Sequence, residues 1–246
     1  MKRVLFSWHG VKIYAYPFML YLGVTFGMMT GTYAATQRGL DPARSYAAML
    51  LLSAAALAGA RLLFVAANWR LYRHEPRRIW KRSEGGYALY GGLLLALLLS
   101  APLLWALQLP LAKFWDAAAI TILTGMIFAK IGCFLNGCCA GRATTSVFGV
   151  KLPDAHGDWR KRIPSQLIEA AFAAVLLLIS VELPGRTRLH DGTVFLSATA
   201  AYAMGRWILE SFREGVGGLS KVTLSRAISA ALAAATVITI VVLHLF

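Results

Sequence analysis

The chain has 246 residues, of which 58% are hydrophobic and 15% charged, and its formal net charge is +14. Soluble domains average about 45–50% apolar and about 25% charged residues, so this composition excludes an ordinary soluble domain and indicates an integral membrane protein. The basic residues cluster between apolar runs, which favours an anionic lipid surface as their partner and argues against nucleic acid.

Seven apolar runs, each near the ~20 residues that a helix needs to cross a bilayer, follow one another along the chain. We predict an all-α membrane protein with about seven transmembrane helices in one bundle around a central lipid-accessible cavity. No repeat or linker divides the sequence, so we expect residues 1–246 to form a single domain and a monomer. The predicted spans are Tyr16–Tyr33, Tyr46–Ala67, Tyr90–Leu107, Ala117–Leu135, Gln166–Val181, Val194–Glu210 and Ala227–Phe246.

Arg61 lies inside the second span beside Gly59 and Ala60. Its side chain either extends along apolar surface to the membrane interface or forms a buried ion pair where the small neighbours let helices pack closely. The residues alone leave both interpretations open.

The loop after the second span is strongly basic. Trp69–Arg82 contains six arginine and lysine residues, which is typical of a solvated loop at an anionic membrane surface. Two glycine pairs follow, in Glu84-Gly85-Gly86 and Tyr90-Gly91-Gly92, and amides at a helix start can receive an anion. We predict that this loop, about residues 68–87, and a second basic loop, about residues 139–163, lie on the same side of the membrane as the functional site.

The stretch Ala129–Arg142 has the sequence Ala-Lys-Ile-Gly-Cys-Phe-Leu-Asn-Gly-Cys-Cys-Ala-Gly-Arg. Lys130 continues an apolar run, where an ionisable group is costly unless it faces a polar cavity or a partner. Asn136-Gly137 predicts a turn, and Gly141 leaves room for close backbone approach. With a second cation at Arg142, the stretch predicts a site for an anionic ligand.

The three cysteines Cys133, Cys138 and Cys139 are too few for a disulfide framework. A zinc site would need a fourth ligand, and no histidine lies at the usual spacing. Cys133 could be a nucleophile beside Lys130, but we favour small packing residues as the interpretation. We therefore predict no metal and no cofactor, and we expect a variant without the three thiols to keep most activity.

Polar residues also mark the last spans. Pro164-Ser165-Gln166 predicts a helix start, and Glu169 lies one turn further along. A second polar set shares one helix face, since its spacings of four, four and three match the helical repeat. Its charges either neutralise each other in a bundle or line a functional cavity, which we favour. The set comprises Tyr202, Arg206, Glu210 and Arg213.

Taken in order, these motifs resemble the prolipoprotein diacylglyceryl transferase family over nearly the whole chain. The resemblance implies a seven-helix enzyme of the bacterial inner membrane that moves the diacylglyceryl group of phosphatidylglycerol to the thiol of a lipobox cysteine and releases glycerol phosphate. The motifs that carry it are Lys12-Ile13-Tyr14-Ala15-Tyr16, Gly59-Ala60-Arg61-Leu62, Glu84-Gly85-Gly86, Tyr90-Gly91-Gly92, Lys130-Ile131-Gly132-Cys133-Phe134-Leu135-Asn136-Gly137, Pro164-Ser165-Gln166-Leu167, Arg206 and Arg213-Glu214.

The resemblance also implies roles for single residues. Arg206, Lys130 and Arg61 would place positive charge on the departing phosphate in a low-dielectric cleft. Either Tyr90 or Glu210 would accept a proton, so the predicted catalytic residues are Tyr90, Arg206 and Glu210. The predicted substrate-binding residues are Tyr16, Arg61, Gly91, Gly92, Lys130, Cys133, Asn136, Gly141 and Tyr202.

The centre of the signature departs from the family pattern. Lys130 stands where the family has arginine, and Tyr90 precedes the glycine pair where the best-known members have histidine. Lysine keeps the charge of arginine but loses its bidentate phosphate geometry, so we expect weaker donor binding. Further departures are Pro17 for glycine, Cys133 for asparagine and Cys138 for glutamate.

These departures leave the acceptor open. A prolipoprotein thiol and a non-protein acceptor such as a glycan both fit the same lipid donor, phosphatidylglycerol. Other anionic lipid is a further expected partner. A lipid or solute transporter without chemistry is the alternative from another class, although it would be expected to show inverted repeats.

Two arguments about orientation conflict. Loops on the N-terminal side of the membrane carry 17 basic residues and those on the other side carry five, so the positive-inside rule predicts a cytoplasmic N-terminus. The resemblance implies a periplasmic active face, and attraction of an anionic lipid explains basic loops on that face. We therefore predict a periplasmic N-terminus and a cytoplasmic C-terminus.

Overall fold

The computed structural model describes residues 4–8, 11–73, 79, 88–153, 158–186, 189–210, 226–227 and 229–239. Most of them are helical. In chain order the elements are β1 (Val4–Trp8), β2 (Val11–Tyr14), α1 (Ala15–Gln37), α2 (Pro42–Ala67), α3 (Trp69–Tyr72), α4 (Leu89–Ala106), α5 (Leu111–Asn136), β3 (Val150–Pro153), β4 (Trp159–Arg162), α6 (Ser165–Arg186), α7 (Thr193–Leu209) and α8 (Ser229–Thr239).

Every predicted span coincides with a helix, within a few residues at the described ends. Among the described residues, three helices are long and apolar enough to cross a bilayer, and two shorter helices are also apolar. The protein is therefore a helical membrane protein. The three long segments are Pro42–Ala67, Leu111–Asn136 and Ser165–Pro184, and the shorter ones are Gly91–Ala106 and Ser229–Thr239.

Two antiparallel hairpins were missed from the sequence. Strands β1 and β2 pair with Trp8 opposite Val11, and β3 and β4 pair with Val150 opposite Arg162. The second hairpin lies where we expected only a polar loop. Alternation over four residues, as in Val-Lys-Leu-Pro, is too short to register in a search for ~20-residue apolar runs.

The chain divides into two compact units, one comprising Met1–Ala34 with Trp115–Phe246, the other Ala35–Phe114. The smaller unit contains α2 and α4, which pack through small residues. Helix α2 begins at Pro42 after Asp41, whose carboxylate accepts the amide of Arg44 at 2.7 Å and so caps the helix. The amide of Ala88 donates to the carbonyl of Ala60 at 2.9 Å, which fixes the start of α4 against α2.

In the larger unit, α1 and α5 approach closely. A Cβ atom on Gly23 would lie 3.1 Å from the carbonyl oxygen of Gly125, and the hydroxyls of Thr30 and Thr124 lie 3.2 Å apart. A core of Leu123, Ala173, Leu176 and Ala198 joins α5 to α6 and α7.

Helix α7 is fixed at its N-terminus by a buried carboxylate. Asp116, which is only 5% exposed, accepts the amides of Gly192 and Phe195, both at 2.8 Å. These bonds satisfy amides that a helix start otherwise leaves unpaired, and the helix dipole favours the negative charge. The contact sets the axial position of α7 against α5.

Glycine-to-alanine substitutions at two sites should distinguish the cost of overpacking from the effect of glycine flexibility. A Cβ atom on Gly91 would overlap the carbonyl oxygen of Gly59, whereas one on Gly125 in α5 would have 3.6 Å to its nearest neighbour. We expect Gly91→Ala to destabilise the protein by about 1–3 kcal/mol through overpacking, which outweighs the gain of about 1 kcal/mol in helix propensity. Gly125→Ala should be neutral or stabilising. Thermal unfolding of both variants in the same detergent checks this, and equal unfolding temperatures would refute it.

Candidate active site

Four charged side chains from three helices of the larger unit form an ion-pair network. Glu169 of α6 is 2% exposed; it pairs with the Nζ of Lys130 from α5 and accepts from Nη1 of Arg206 on α7 at 2.7 Å. Nη2 of Arg206 also lies 2.8 Å from Oε2 of Glu210, the residue that caps the C-terminus of α7. The network alternates cation and anion, so that each buried charge has an opposite partner.

This arrangement contains the Arg–Glu pair that was the less favoured of the two interpretations of this helix face, and the favoured functional cavity stays a prediction. Arg206 and Glu210 do pair, as their four-residue spacing predicts. The sequence did not predict that Arg206 also binds Glu169, which brings Lys130 into the same network. Glu169 had been noted only as a residue one turn inside a helix. An acidic side chain in an apolar run was the signal that could have identified it.

The turn after α5 is held by the start of α6. Nε2 of Gln166 donates to the carbonyl of Cys138 at 2.6 Å, and Oγ of Ser165 donates to that of Cys139 at 2.9 Å. Gly137 and Cys139 have φ values of 77° and 61°, so the chain reverses through left-handed backbone, which a non-glycine residue rarely adopts. Helix α6 does begin at Ser165, as predicted, but its first polar side chains also fix this turn.

Gly141 and Arg162 close the turn against the second hairpin. The amide of Gly141 donates to the carbonyl of Ile163 at 2.9 Å, and its carbonyl accepts from Nη1 of Arg162 at 3.5 Å. Arg162 lies within the second basic loop predicted from the sequence, and its side chain is only 1% exposed. Pairing with β3 buries this end of β4.

The turn also gathers the three thiols into a cluster. The sulfur atoms of Cys133, Cys138 and Cys139 all lie within 4.8 Å of one another. The hydrogen bond with Cys133 lowers the pKa of the Cys138 thiol, but the hydrogen bond with Cys139 and burial outweigh it, so this pKa is raised from its ordinary value. Packing, the interpretation favoured from the sequence, suits buried Cys133 but not Cys139, which is exposed.

The two tyrosines predicted to bind substrate, Tyr16 and Tyr202, both lie in the larger unit. A Cβ atom on Gly132 would lie 2.9 Å from the Cβ of Met19 and 3.3 Å from the ring of Tyr16, so this glycine makes room for both side chains. Tyr202 on α7 stacks on Phe172 of α6 with ring centroids 6.3 Å apart. Asn136 is the last residue of α5 and is half-buried. The predicted roles of these residues toward a substrate stay predictions.

The remaining predicted site residues belong to the smaller unit. Nε of Arg61 donates to the carbonyl of Ile79 at 3.0 Å, and its guanidinium lies 5.8 Å from the ring centroid of Phe64 and 5.7 Å from that of Tyr72. These contacts are cation–π and hydrogen-bonding interactions. Tyr90 lies in the first turn of α4, and its side chain is outside the part that the structure describes, as are Glu84-Gly85-Gly86 and Arg213.

The glycine pair Gly91-Gly92 has a packing role. Both amides donate to the carbonyl of Ala88, at 3.0 and 3.4 Å, and a Cβ atom on Gly92 would lie 2.5 Å from the carbonyl oxygen of Ala56. Helix bonds occupy both amides, and the predicted role of this glycine pair toward a substrate stays a prediction. Their lack of a side chain lets α4 approach α2.

Arg142 lines an open basic depression of about 660 Å³, beside the second hairpin. The structure therefore places this cation on a surface beside Arg160 and Lys161. From the sequence, Arg142 and Lys130 are predicted to belong to one anion site, and that shared site stays a prediction. The complete lining is Arg142, Ala143, Thr144, Thr145, Arg160, Lys161 and Ile163.

Comparison with known proteins identifies the family of the chain. Residues 3–242 match the family model described as prolipoprotein diacylglyceryl transferase. A phosphatidylglycerol–prolipoprotein diacylglyceryl transferase of Wolbachia pipientis from Culex pipiens is 30% identical, covering 87% of this chain and 82% of its own length. The enzyme of Enterococcus faecalis is 26% identical, with 98% and 90% covered, and a second transferase of Clostridium perfringens is 26% identical, with 89% and 86% covered.

The family match extends across both structural units. It includes the stretch that carries Lys130 and the helix that carries Arg206. The chain belongs to the prolipoprotein diacylglyceryl transferase family.

Proposed function

We propose that the protein transfers the diacylglyceryl group of phosphatidylglycerol to the thiol of a lipobox cysteine in a prolipoprotein and releases glycerol phosphate. The observation that carries the proposal is the ion-pair network, which holds two cations at one buried carboxylate. The similar proteins of Wolbachia and Enterococcus, which carry this activity in their names, support it.

The network suits a reaction in which a phosphate departs. A carbon–sulfur bond forms between the acceptor thiol and the glyceryl carbon while the bond from that carbon to the phosphate oxygen breaks. Arg206 offers five N–H donors and Lys130 three, so both cations can turn donors toward the departing phosphate. In a low-dielectric site such donors stabilise developing charge strongly.

The thiol proton must also go to a base. Glu210 forms an ion pair with Arg206 and its side chain is 11% exposed, which leaves its carboxylate beside the cations. We assign it as the proton acceptor, with Tyr90 as the second residue that the family pattern places in this role. Release of glycerol phosphate then carries away the negative charge.

The basic hairpin surface supports recruitment of the donor. Arg160 and Lys161 lie on β4 beside Arg142, and the turn before β3 exposes Val147 and Phe148, at 85% and 84%. Cations next to exposed apolar side chains are the composition expected of an element that rests on an anionic lipid surface. Phosphatidylglycerol is such a lipid.

We further propose a multi-pass protein of the bacterial inner membrane in which α1, α2 and α4 to α8 provide seven crossings. The N-terminus is then periplasmic and the C-terminus cytoplasmic, with the basic loops on the periplasmic side. This orientation gives acceptors access to the site after their export.

Reporter fusions test the orientation. A C-terminal fluorescent protein should fluoresce, and a C-terminal alkaline phosphatase should be inactive, because the C-terminus is expected in the cytoplasm. A fusion at residue 40, in the turn between α1 and α2, should behave in the same way, since one crossing separates it from the N-terminus. Dark fluorescent fusions with active phosphatase at both positions would reverse the assignment.

Complementation tests the activity in cells. Expression in a bacterium depleted of its own transferase should restore diacylglyceryl modification of its lipoproteins, detected by the mobility and mass of a reporter lipoprotein. Immunoblots must show the protein in the membrane at equal levels for all variants. Unmodified reporter despite abundant membrane protein would point to a glycan acceptor or to a transporter without chemistry.

A further inference from the structure

The thiol cluster formed by Cys133, Cys138 and Cys139 has the features of a built site. Cys133 comes from the last turns of α5, and the left-handed turn brings the other two sulfurs back to it. Left-handed backbone at Cys139 is unfavourable for a residue with a side chain, and bonds from Gln166 and Ser165 hold the turn in place. The fold thus maintains an unfavourable backbone that brings three sulfur atoms together.

The three sulfur atoms and the distances between them indicate which class of ligand fits the cluster. Thiolates bind Zn²⁺ at about 2.3 Å, so three of them around one ion lie about 4 Å apart. The cluster, with its sulfurs within 4.8 Å of one another, needs only a small contraction to reach this spacing. Sulfur donors favour Zn²⁺ or Cu⁺ over Mg²⁺ and Ca²⁺.

We propose that Cys133, Cys138 and Cys139 bind one Zn²⁺ ion and leave its fourth position open for the thiol of the acceptor. The sequence offers no fourth ligand for zinc, which disfavours a closed structural site. A catalytic zinc, however, typically has three protein ligands and keeps the fourth position for water or substrate.

The position of the cluster relative to the ion-pair network supports this role. Lys130 precedes Cys133 by three residues on α5, and residues three apart are neighbours on a helix surface. On α6, Gln166 binds the turn and Glu169, three residues further, binds Lys130 and Arg206. Both helices therefore place the thiols one turn from the proposed phosphate site.

The proposed chemistry rests on the function proposed above and adds a step to it. The acceptor thiol replaces water at the zinc and passes its proton to Glu210, the base assigned above, because a coordinating thiol is deprotonated. The bound sulfur then attacks the glyceryl carbon as the phosphate leaves. The product is a neutral thioether, a weaker ligand than a thiolate, and it dissociates from the zinc.

Metal content of the purified full chain is the first test. We expect about one zinc ion per protein after purification in detergent with a reductant, measured by elemental (inductively coupled plasma) mass spectrometry. Cobalt loading should give the charge-transfer absorption of thiolate–cobalt bonds. Cys138→Ser should reduce both signals to background, while Thr145→Ala, in the exposed loop nearby, should leave both unchanged. No bound metal, or a disulfide within the cluster instead, would overturn the site.

The fourth position is tested on the cobalt-loaded protein. A lipobox peptide should shift the visible cobalt bands, whereas the same peptide with serine in place of cysteine should not. The variant with all three cysteines replaced by serine, mixed with the thiol peptide, controls for metal taken up by the peptide itself. If cobalt binds but its visible absorption bands do not shift when the thiol peptide is added, the role in acceptor binding is overturned.

Activity separates the two proposals. Replacing the three cysteines by serine should lower the transfer rate by about 100-fold, the loss expected when thiol activation is removed. This proposal therefore replaces the expectation from the sequence alone that such a variant keeps most activity. Full activity in a metal-free triple variant would refute the zinc proposal and leave the transferase intact. Stoichiometric zinc with no transfer to any acceptor by the wild type would refute the proposed function and leave the metal site standing.

Discussion

Replacing Arg206 by alanine is expected to lower the transfer rate by about 100- to 1000-fold, which is the usual cost of removing one charge-stabilising donor from an active site. Arg206 binds both Glu169 and Glu210, and in the proposed function it provides donors for the departing phosphate. Arg206→Lys keeps the charge but loses the bidentate N–H donors of the guanidinium, so it should retain a fraction of the activity. Initial rates of thioether formation with saturating phosphatidylglycerol measure both variants.

The control for this prediction lies on the same helix. Met204 of α7 is 57% exposed, and Met204→Ala should leave the rate unchanged. Folding is checked by yield and by thermal unfolding, because Arg206→Ala also removes a partner of buried Glu169. A folded alanine variant that turns over phosphatidylglycerol at the normal rate would make Arg206 structural only.

The second large effect is expected at Glu169. Glu169→Gln removes the carboxylate shared by Lys130 and Arg206. Breaking a buried pair on one side leaves the other charge uncompensated and typically costs about 3–5 kcal/mol. We therefore expect a much lower unfolding temperature together with a loss of activity, since both cations lose their common anchor.

A charge-balanced design separates stability from catalysis. Glu169→Gln combined with Lys130→Met removes one anion and one cation, so it should recover part of the stability while activity stays low. Glu182→Gln, at an exposed position of the same helix, should change stability by no more than about 0.5 kcal/mol. Normal stability and activity of the Glu169→Gln single variant would contradict the assigned role of the network.

The helices could be predicted from the sequence because a membrane span needs a long apolar run that stands out locally. Pro164-Ser165-Gln166 likewise predicted the start of α6, since capping chemistry depends on neighbouring residues. The hairpins were missed because their strands span only four or five residues. Strand pairing depends on partners rather than on one local period.

The site was only partly predictable for a related reason. Arg206 and Glu210 lie one turn apart on a helix, so their pairing follows from their spacing. Glu169 meets Lys130 and Arg206 across 39 and 37 residues of chain, and no local pattern specifies such contacts. The thiol cluster depends on a left-handed turn at Cys139, and a non-glycine residue gives no sequence signal for that backbone.

The most direct measurement is a product assay with purified protein, phosphatidylglycerol and a lipobox peptide. Mass spectrometry should find the peptide heavier by one diacylglyceryl group, and each modified peptide should be matched by one released glycerol phosphate. The peptide with serine in place of cysteine should remain unmodified. Equal amounts of the two products would support transfer to a thiol, whereas unmodified peptide with intact phosphatidylglycerol would contradict the proposed function.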